Sequence, residues 1–126
     1  MKKLIIQSSD APAPIGPYSQ AVLKQDTLFL SGQVAINPTN GELVIDNIEA
    51  ETHQVMNNLK AVLSAAEMDF NQVVKTTIFV KDLGNFSRIN EVYGSYFELD
   101  PPARETVEVS RLPKDVNVEI SCIAIK

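Results

Sequence analysis

The sequence predicts one α+β domain, a mixed α/β sandwich with two helices on one face of a six-stranded mixed sheet. Three observations carry this. Apolar residues recur at helical intervals in two stretches only. The other apolar runs are short, rich in β-branched residues and separated by turn signals. The chain has 126 residues, 44% of them hydrophobic and 21% charged, which suits one ordinary domain with a normal core.

The elements follow in order. Residues 3–7 read as a short strand. SSDAPAPIGPYSQ holds three of the seven prolines, so it reads as a stiff surface loop. QAVLKQ and TLFLSGQV read as strands joined by a two-residue turn at Gln25-Asp26. NPTNGEL is a second turn, with Asn40-Gly41 at its tip. Val55, Met56, Leu59, Val62, Leu63 and Ala66 mark a helix over Ile48–Met68, with Glu49 and Glu51 where the helix dipole favours negative charge. Val73–Val80 is a β-branched strand. Phe86–Leu99 is a second helix capped by Asn85 and stopped by Pro101-Pro102. Two strands, Glu105–Ser110 and Val116–Ile125, flank the turn LPKD.

TTIFV and ISCIAI are apolar at successive positions, so both of their faces call for cover. Two helices cover one side. A second copy of the chain is the simplest cover for the other, which predicts a homo-oligomer.

The net charge is −5 and no basic stripe is visible, which argues against sequence-independent binding of nucleic acid. The single cysteine, Cys122, excludes an internal disulfide and suits a reducing compartment. MKKLII is too short an apolar run for a signal peptide, and no run approaches the length of a membrane span. A soluble, cytoplasmic protein is expected. His53 stands alone near the start of the long helix, so a metal site has no support and none is expected.

Several polar residues occupy apolar surroundings. Glu119 lies in VNVEISCIAI, sharing a face with Ser121, Ile123 and Ile125. Such a carboxylate is either paired or has its pKa raised. Arg104 is a natural partner, or it grips the same ligand through its planar fork. Gly32, inside SGQ, marks a bulge or the close approach of another group. Tyr18 sits on the loop stiffened by Pro17, either packed or facing a pocket. Asn90 is a helix residue that is either solvated or a polar contact at a cleft. Cys122 faces the apolar side of its strand and behaves as a small hydrophobe.

IGPYSQA, LFLSGQ, THQVMNNLKAVLSAAEMDF, VVKTTIFVKDL, INEVYGSYF and PPARETVEVSRLPKDVNVEI together resemble the RidA/YjgF family of reactive-intermediate deaminases over nearly the whole chain, residues 1–126. The resemblance implies a chorismate-mutase-like fold and a homotrimer with clefts between subunits. It implies hydrolysis of enamine and imine acids, 2-aminoacrylate/2-iminopropanoate and 2-aminocrotonate/2-iminobutanoate, to 2-oxo acids and ammonia, without a cofactor. The family's arginine falls on Arg104, which would clamp the carboxylate. Its acid falls on Glu119, which would activate or position water. Its tyrosine falls on Tyr18, closing the pocket, and Ser31, Gly32 and Asn90 fall on ligand-facing positions. Many members carry cysteine where this chain has Thr106, so thiol chemistry is absent there, while the main chain at 106 is still available to the ligand. A non-catalytic module that binds small carboxylates is the rival reading. Chaperone and translation-inhibiting ribonuclease roles, reported among relatives, form another class.

Overall fold

A computed structural model describes residues 2–126. Its elements are β1 (Leu4–Ile6), β2 (Ala21–Lys24), β3 (Thr27–Gln33), α1 (Ile48–Ala65), β4 (Val73–Val80), α2 (Phe86–Gly94), β5 (Ala103–Glu108) and β6 (Val118–Ile125). The strands form one six-stranded sheet in the order β1-β2-β3-β6-β4-β5. β5 runs parallel to β4 and every other pairing is antiparallel. The predicted α+β architecture is therefore present, with β6 threaded into the middle of the sheet.

Sequence chemistry explains where the elements begin and end. Asn47 caps α1, its Oδ1 accepting from the Ala50 N–H at 2.8 Å. The helix ends three residues before the expected Met68. Glu67 turns left-handed (φ 58°), and the Met68 N–H reaches back to the Leu63 carbonyl at 2.9 Å. α2 stops at Gly94 rather than Leu99. Gly94 is a poor helix former, the Ser95 hydroxyl bonds the Val92 carbonyl at 2.6 Å, and the next two residues continue in tighter turns. Asn85 makes no side-chain cap. Asp82 instead caps the short turn just before α2, accepting from Gly84 N–H at 2.8 Å. The two C-terminal strands are not neighbours, because β4 lies between them.

α1 and α2 pack on one face of the sheet. Leu28, Val118, Ile120 and Ala124 from the sheet meet Val55, Leu59, Val62 and Leu63 from α1 in a fully buried core. No described element covers the opposite face. There Phe29 is 48% and Val107 41% exposed, beside the half-buried Phe79 and Ile123. Apolar side chains clustered on an exposed sheet face mark an interaction surface.

Two buried polar groups fix the loops. Gln20 ties the proline loop to β2. Its Oε1 accepts from Ser8 N–H at 2.6 Å and its amide donates to the Ser8 and Pro12 carbonyls at 3.1 Å and 2.9 Å. Glu51 is fully buried on α1 and accepts from the Asn117 N–H and Nδ2, both at 2.7 Å. That pair locks the turn leading into β6. Glu51→Ala leaves a backbone donor and an amide unpaired, so it should cost about 2–4 kcal/mol. Urea unfolding at fixed protein concentration measures this, and a loss within ~0.5 kcal/mol of zero, as for an ordinary surface change, would refute the locking role.

Candidate functional site

Along β3 and β6 the pairing runs from Leu30↔Cys122 to Gln33↔Ile120, so β3 carries one extra residue there. This is the bulge that a glycine within SGQ announced. It sets Ser31 and Gly32 beside Glu119. A Cβ built on Gly32 would collide with the Glu119 carboxyl, reaching its Cδ at 2.9 Å. Glycine is required here because the carboxyl occupies the space where a side chain would stand. Ser31 is fixed by its hydroxyl, which donates to the Ser19 carbonyl at 2.6 Å, and by its N–H on the Gln20 carbonyl at 2.9 Å.

Glu119 is half-buried and, among the described residues, pairs with no cation. Burial pushes its carboxyl above the ordinary glutamate value. It faces a cavity of about 500 Å³ lined also by Tyr18, Ser31, Gly32, Ile15, Ile36 and Lys114. Tyr18 is 53% exposed at its mouth. Sequence reasoning missed Lys114. The turn LPKD was visible, but nothing in it signalled that Lys114 takes a left-handed backbone (φ 58°).

Arg104 stands elsewhere. Its Nη1 donates to Asn90 Oδ1 at 2.6 Å, and its guanidinium carbon lies 5.4 Å from the Phe86 ring centre and 5.1 Å from that of Tyr93. Asn90, exposed on α2, is thus a polar contact and not merely solvated. The rings hold the guanidinium by cation–π contact. Tyr93 is held in turn by a 2.8 Å hydrogen bond to Thr76, and burial raises its hydroxyl's pKa. Asn90, Tyr93 and Arg104, with Pro101 and Pro102, line a second cleft of about 430 Å³.

Thr106 lies two residues beyond Arg104 on the edge strand β5. The Val109 N–H bonds the Val80 carbonyl at 2.9 Å. By alternation, the N–H and C=O of Thr106 point off the open edge. Its side-chain Oγ1 is buried and, among the described residues, has no hydrogen-bond partner.

Of the two readings of Arg104 and Glu119, the direct pair is not made within one chain. Cross-strand partners share a face. Arg104 pairs with Thr76, and Thr76 with Cys122, all on the helix side. Glu119 pairs with Phe79, and Phe79 with Val107, all on the uncovered side. The two charged groups therefore belong to opposite faces of one sheet. Tyr18, Ser31, Gly32 and Glu119 line one cavity; Asn90 and Arg104 line the other cleft, on the helix side of the edge strand that carries Thr106.

The remaining chemistry is limited. Among the described residues no group of three or more His, Cys, Asp or Glu side chains is placed to hold a metal ion. His53 is exposed and shares a 2.7 Å hydrogen bond between its Nδ1 and the Tyr96 hydroxyl. Burial pushes the Cys122 thiol up to about 12, so it stays protonated in the core. Among the described residues no helix is long and apolar enough to cross a membrane.

Comparison with known proteins agrees with the sequence resemblance. The family model described as Endoribonuclease L-PSP matches residues 8–126. A RutC family protein of Pyrococcus horikoshii is 50% identical over 124 residues, spanning 98% of each chain. Reactive Intermediate Deaminase A, chloroplastic, of Arabidopsis thaliana is 42% identical over 124 residues, spanning 98% of this chain and 66% of the relative. Among solved structures, E. coli TdcF with bound serine superposes with a TM-score of 0.94 at 38% identity, covering 98% of each chain. With matched residues and fold in agreement, this chain belongs to the RidA/YjgF family.

Proposed function

We propose that the protein is a hydrolytic deaminase of small 2-imino acids, acting at a site completed by a second copy of the chain. The observation that carries this reading is Glu119, an unpaired, half-buried carboxyl with a raised pKa, seated over Gly32 at the wall of an apolar cavity. An acid in that setting is suited to proton transfer. The uncovered apolar sheet face supports association, and the family resemblance supports three copies. The Arg104 half-site of one copy would then face the Glu119 half-site of its neighbour. That a solved relative holds serine, a small amino acid, agrees with a ligand of this size.

The chemistry needs few groups. Arg104, preset by Asn90 and the two rings, grips the substrate carboxylate with two parallel hydrogen bonds. The main chain of Thr106 and the polar end of β3 orient the imine. Ionised Glu119 takes a proton from water as its oxygen bonds to the C2 carbon of the protonated imine. The C=N electron pair moves to nitrogen, giving a tetrahedral carbinolamine. Glu119 returns the proton to nitrogen and then accepts the hydroxyl proton as the C–N bond breaks; the 2-oxo acid and ammonia leave, and Glu119 passes that proton to ammonia or solvent. Water is the only co-reactant. Tyr18 closes the mouth of the cavity.

The bound-serine relative also fits a module that binds small carboxylates without turning them over. Ammonia release in an assay coupled to a threonine dehydratase separates the two, since a pure binder would add nothing to spontaneous hydrolysis.

Arg104→Ala should lower kcat/KM for 2-iminobutanoate by about 100-fold or more, and Arg104→Lys by more than tenfold, because a lysine offers no fork. Wild-type turnover by either variant would remove the clamp. Gly32→Ala should displace the Glu119 carboxyl and lower kcat by at least about tenfold, with the fold kept by circular dichroism; unchanged kcat would contradict the seating of that carboxyl. A general base must be ionised, so activity should fall as pH drops through a value above the usual 4.5 of glutamate. In stability, a raised pKa means the native state holds the proton more tightly than the unfolded chain. That contribution is present below pH 4.5 and lost as pH rises through the raised value. Glu119→Gln should abolish both dependences, and an acid limb that survives in Glu119→Gln would assign it to another group.

A further inference from the structure

Lys114 is exposed and lines the same cavity as Glu119, a position that the proposed chemistry does not use. It lies on the Pro113–Asp115 turn, where two successive non-glycine residues, Lys114 and Asp115, are left-handed (φ 58° and 55°). That conformation costs roughly 1–2 kcal/mol per residue and persists only where neighbours enforce it. Three contacts enforce it here. The Asp115 N–H bonds the Leu112 carbonyl at 2.9 Å, the Lys81 ammonium pairs with Asp115 at 2.7 Å, and Glu51 holds Asn117 at 2.7 Å. The strained turn holds Lys114 at the wall that the large cavity shares with a smaller one of about 170 Å³.

Among the described residues, Lys114 has no carboxylate within ion-pair distance, unlike Lys75, Lys81 and Arg88, which pair with Glu105, Asp115 and Glu49. It does not meet Glu119 either, although both line the same cavity. The raised pKa of Glu119 has burial as its one cause, with no contribution from a nearby cation. A lysine and a carboxyl that line one cavity of about 500 Å³ without pairing leave room between them for a ligand. The apolar walls of Ile15, Val34 and Ile36 suit methylene groups in that gap.

We infer that Lys114 recognises a second anionic group at the far end of the ligand, so that the site accepts dicarboxylic 2-imino and 2-oxo acids. This rests on the proposed reading, in which Arg104 takes the carboxylate next to the reacting carbon. The ligand then spans the cavity, with one carboxylate on Arg104, the reacting carbon by Glu119, methylenes along Ile15 and Ile36, and the distal carboxylate on Lys114.

Calorimetric titration of the assembled protein with 2-oxoglutarate and with 2-oxobutanoate tests this. Lys114→Met keeps the length of the stem and the same backbone requirement. It should weaken 2-oxoglutarate binding at least about tenfold more than 2-oxobutanoate binding, while Lys114→Arg keeps the preference of the wild type. Equal weakening of both acids, or none, in a Lys114→Met protein of native size and circular dichroism overturns the inference and leaves the deaminase reading standing. If the wild type binds neither acid, the ligand class of the whole site is wrong and the inference falls with it.

Discussion

Side chains alternate across a β-sheet, and that alternation governs this molecule. Arg104 lies in register with Thr76 and Cys122, which face the helices, whereas Glu119 lies in register with Phe79 and Val107, which do not. A one-residue slip of β5 against β4 would exchange the faces. The parallel pairing from Lys75↔Ala103 to Val80↔Glu108 runs without a break and holds the register. The guanidinium and the carboxyl of one chain therefore cannot share a small ligand. Each half-site is prepared separately: one by stacking on Phe86 and Tyr93, the other by the bulge at Ser31-Gly32.

In the proposed reading, the same alternation joins association to chemistry. The face that carries Glu119 also carries Phe29, Phe79, Val107 and Ile123, the apolar residues that this chain leaves uncovered. Burying them favours assembly at roughly 25 cal/mol per Å² of apolar surface removed from water. Assembly would also shield Glu119 further from water, which strengthens every electrostatic contact at the site. Around this, buried polar anchors set the loops. Gln20 holds the proline loop that carries Tyr18, and Glu51 holds the turn that carries Lys114. In this account the helices act on the site mainly through these anchors, and through Asn90 and Tyr93.

Much of this was legible in the sequence. The strand pattern and the long helix follow from apolar periodicity, and β4 matches its expected bounds, Val73–Val80, residue for residue. Gly32 announced the bulge, and the PAR…VEI spacing drew attention to Arg104 and Glu119. What stayed hidden depends on three-dimensional context. The end of α2 is set by hydrogen bonds of Ser95, and apolar Tyr96 and Phe97 continue the helical pattern past it. Glu51 looked like a dipole-stabilising surface acid, yet it is buried, because its partner Asn117 is 66 residues away. Lys114 gave no signal, since a left-handed lysine has no sequence signature. The pairing of Arg104 with Glu119 was expected from their chemistry, but strand order and register decide it, and neither can be read from local pattern.

Subunit complementation tests the division of the site most directly. Arg104→Ala and Glu119→Gln proteins, each inactive alone, would be unfolded together and reassembled as mixed oligomers. If the site joins the arginine of one copy to the carboxyl of the next, about a quarter of the interfaces in a random equal mixture hold both native residues. The mixture should then regain roughly that fraction of wild-type imine hydrolysis. Activity no greater than the sum of the two inactive proteins, in mixed oligomers shown to have formed, would contradict the account.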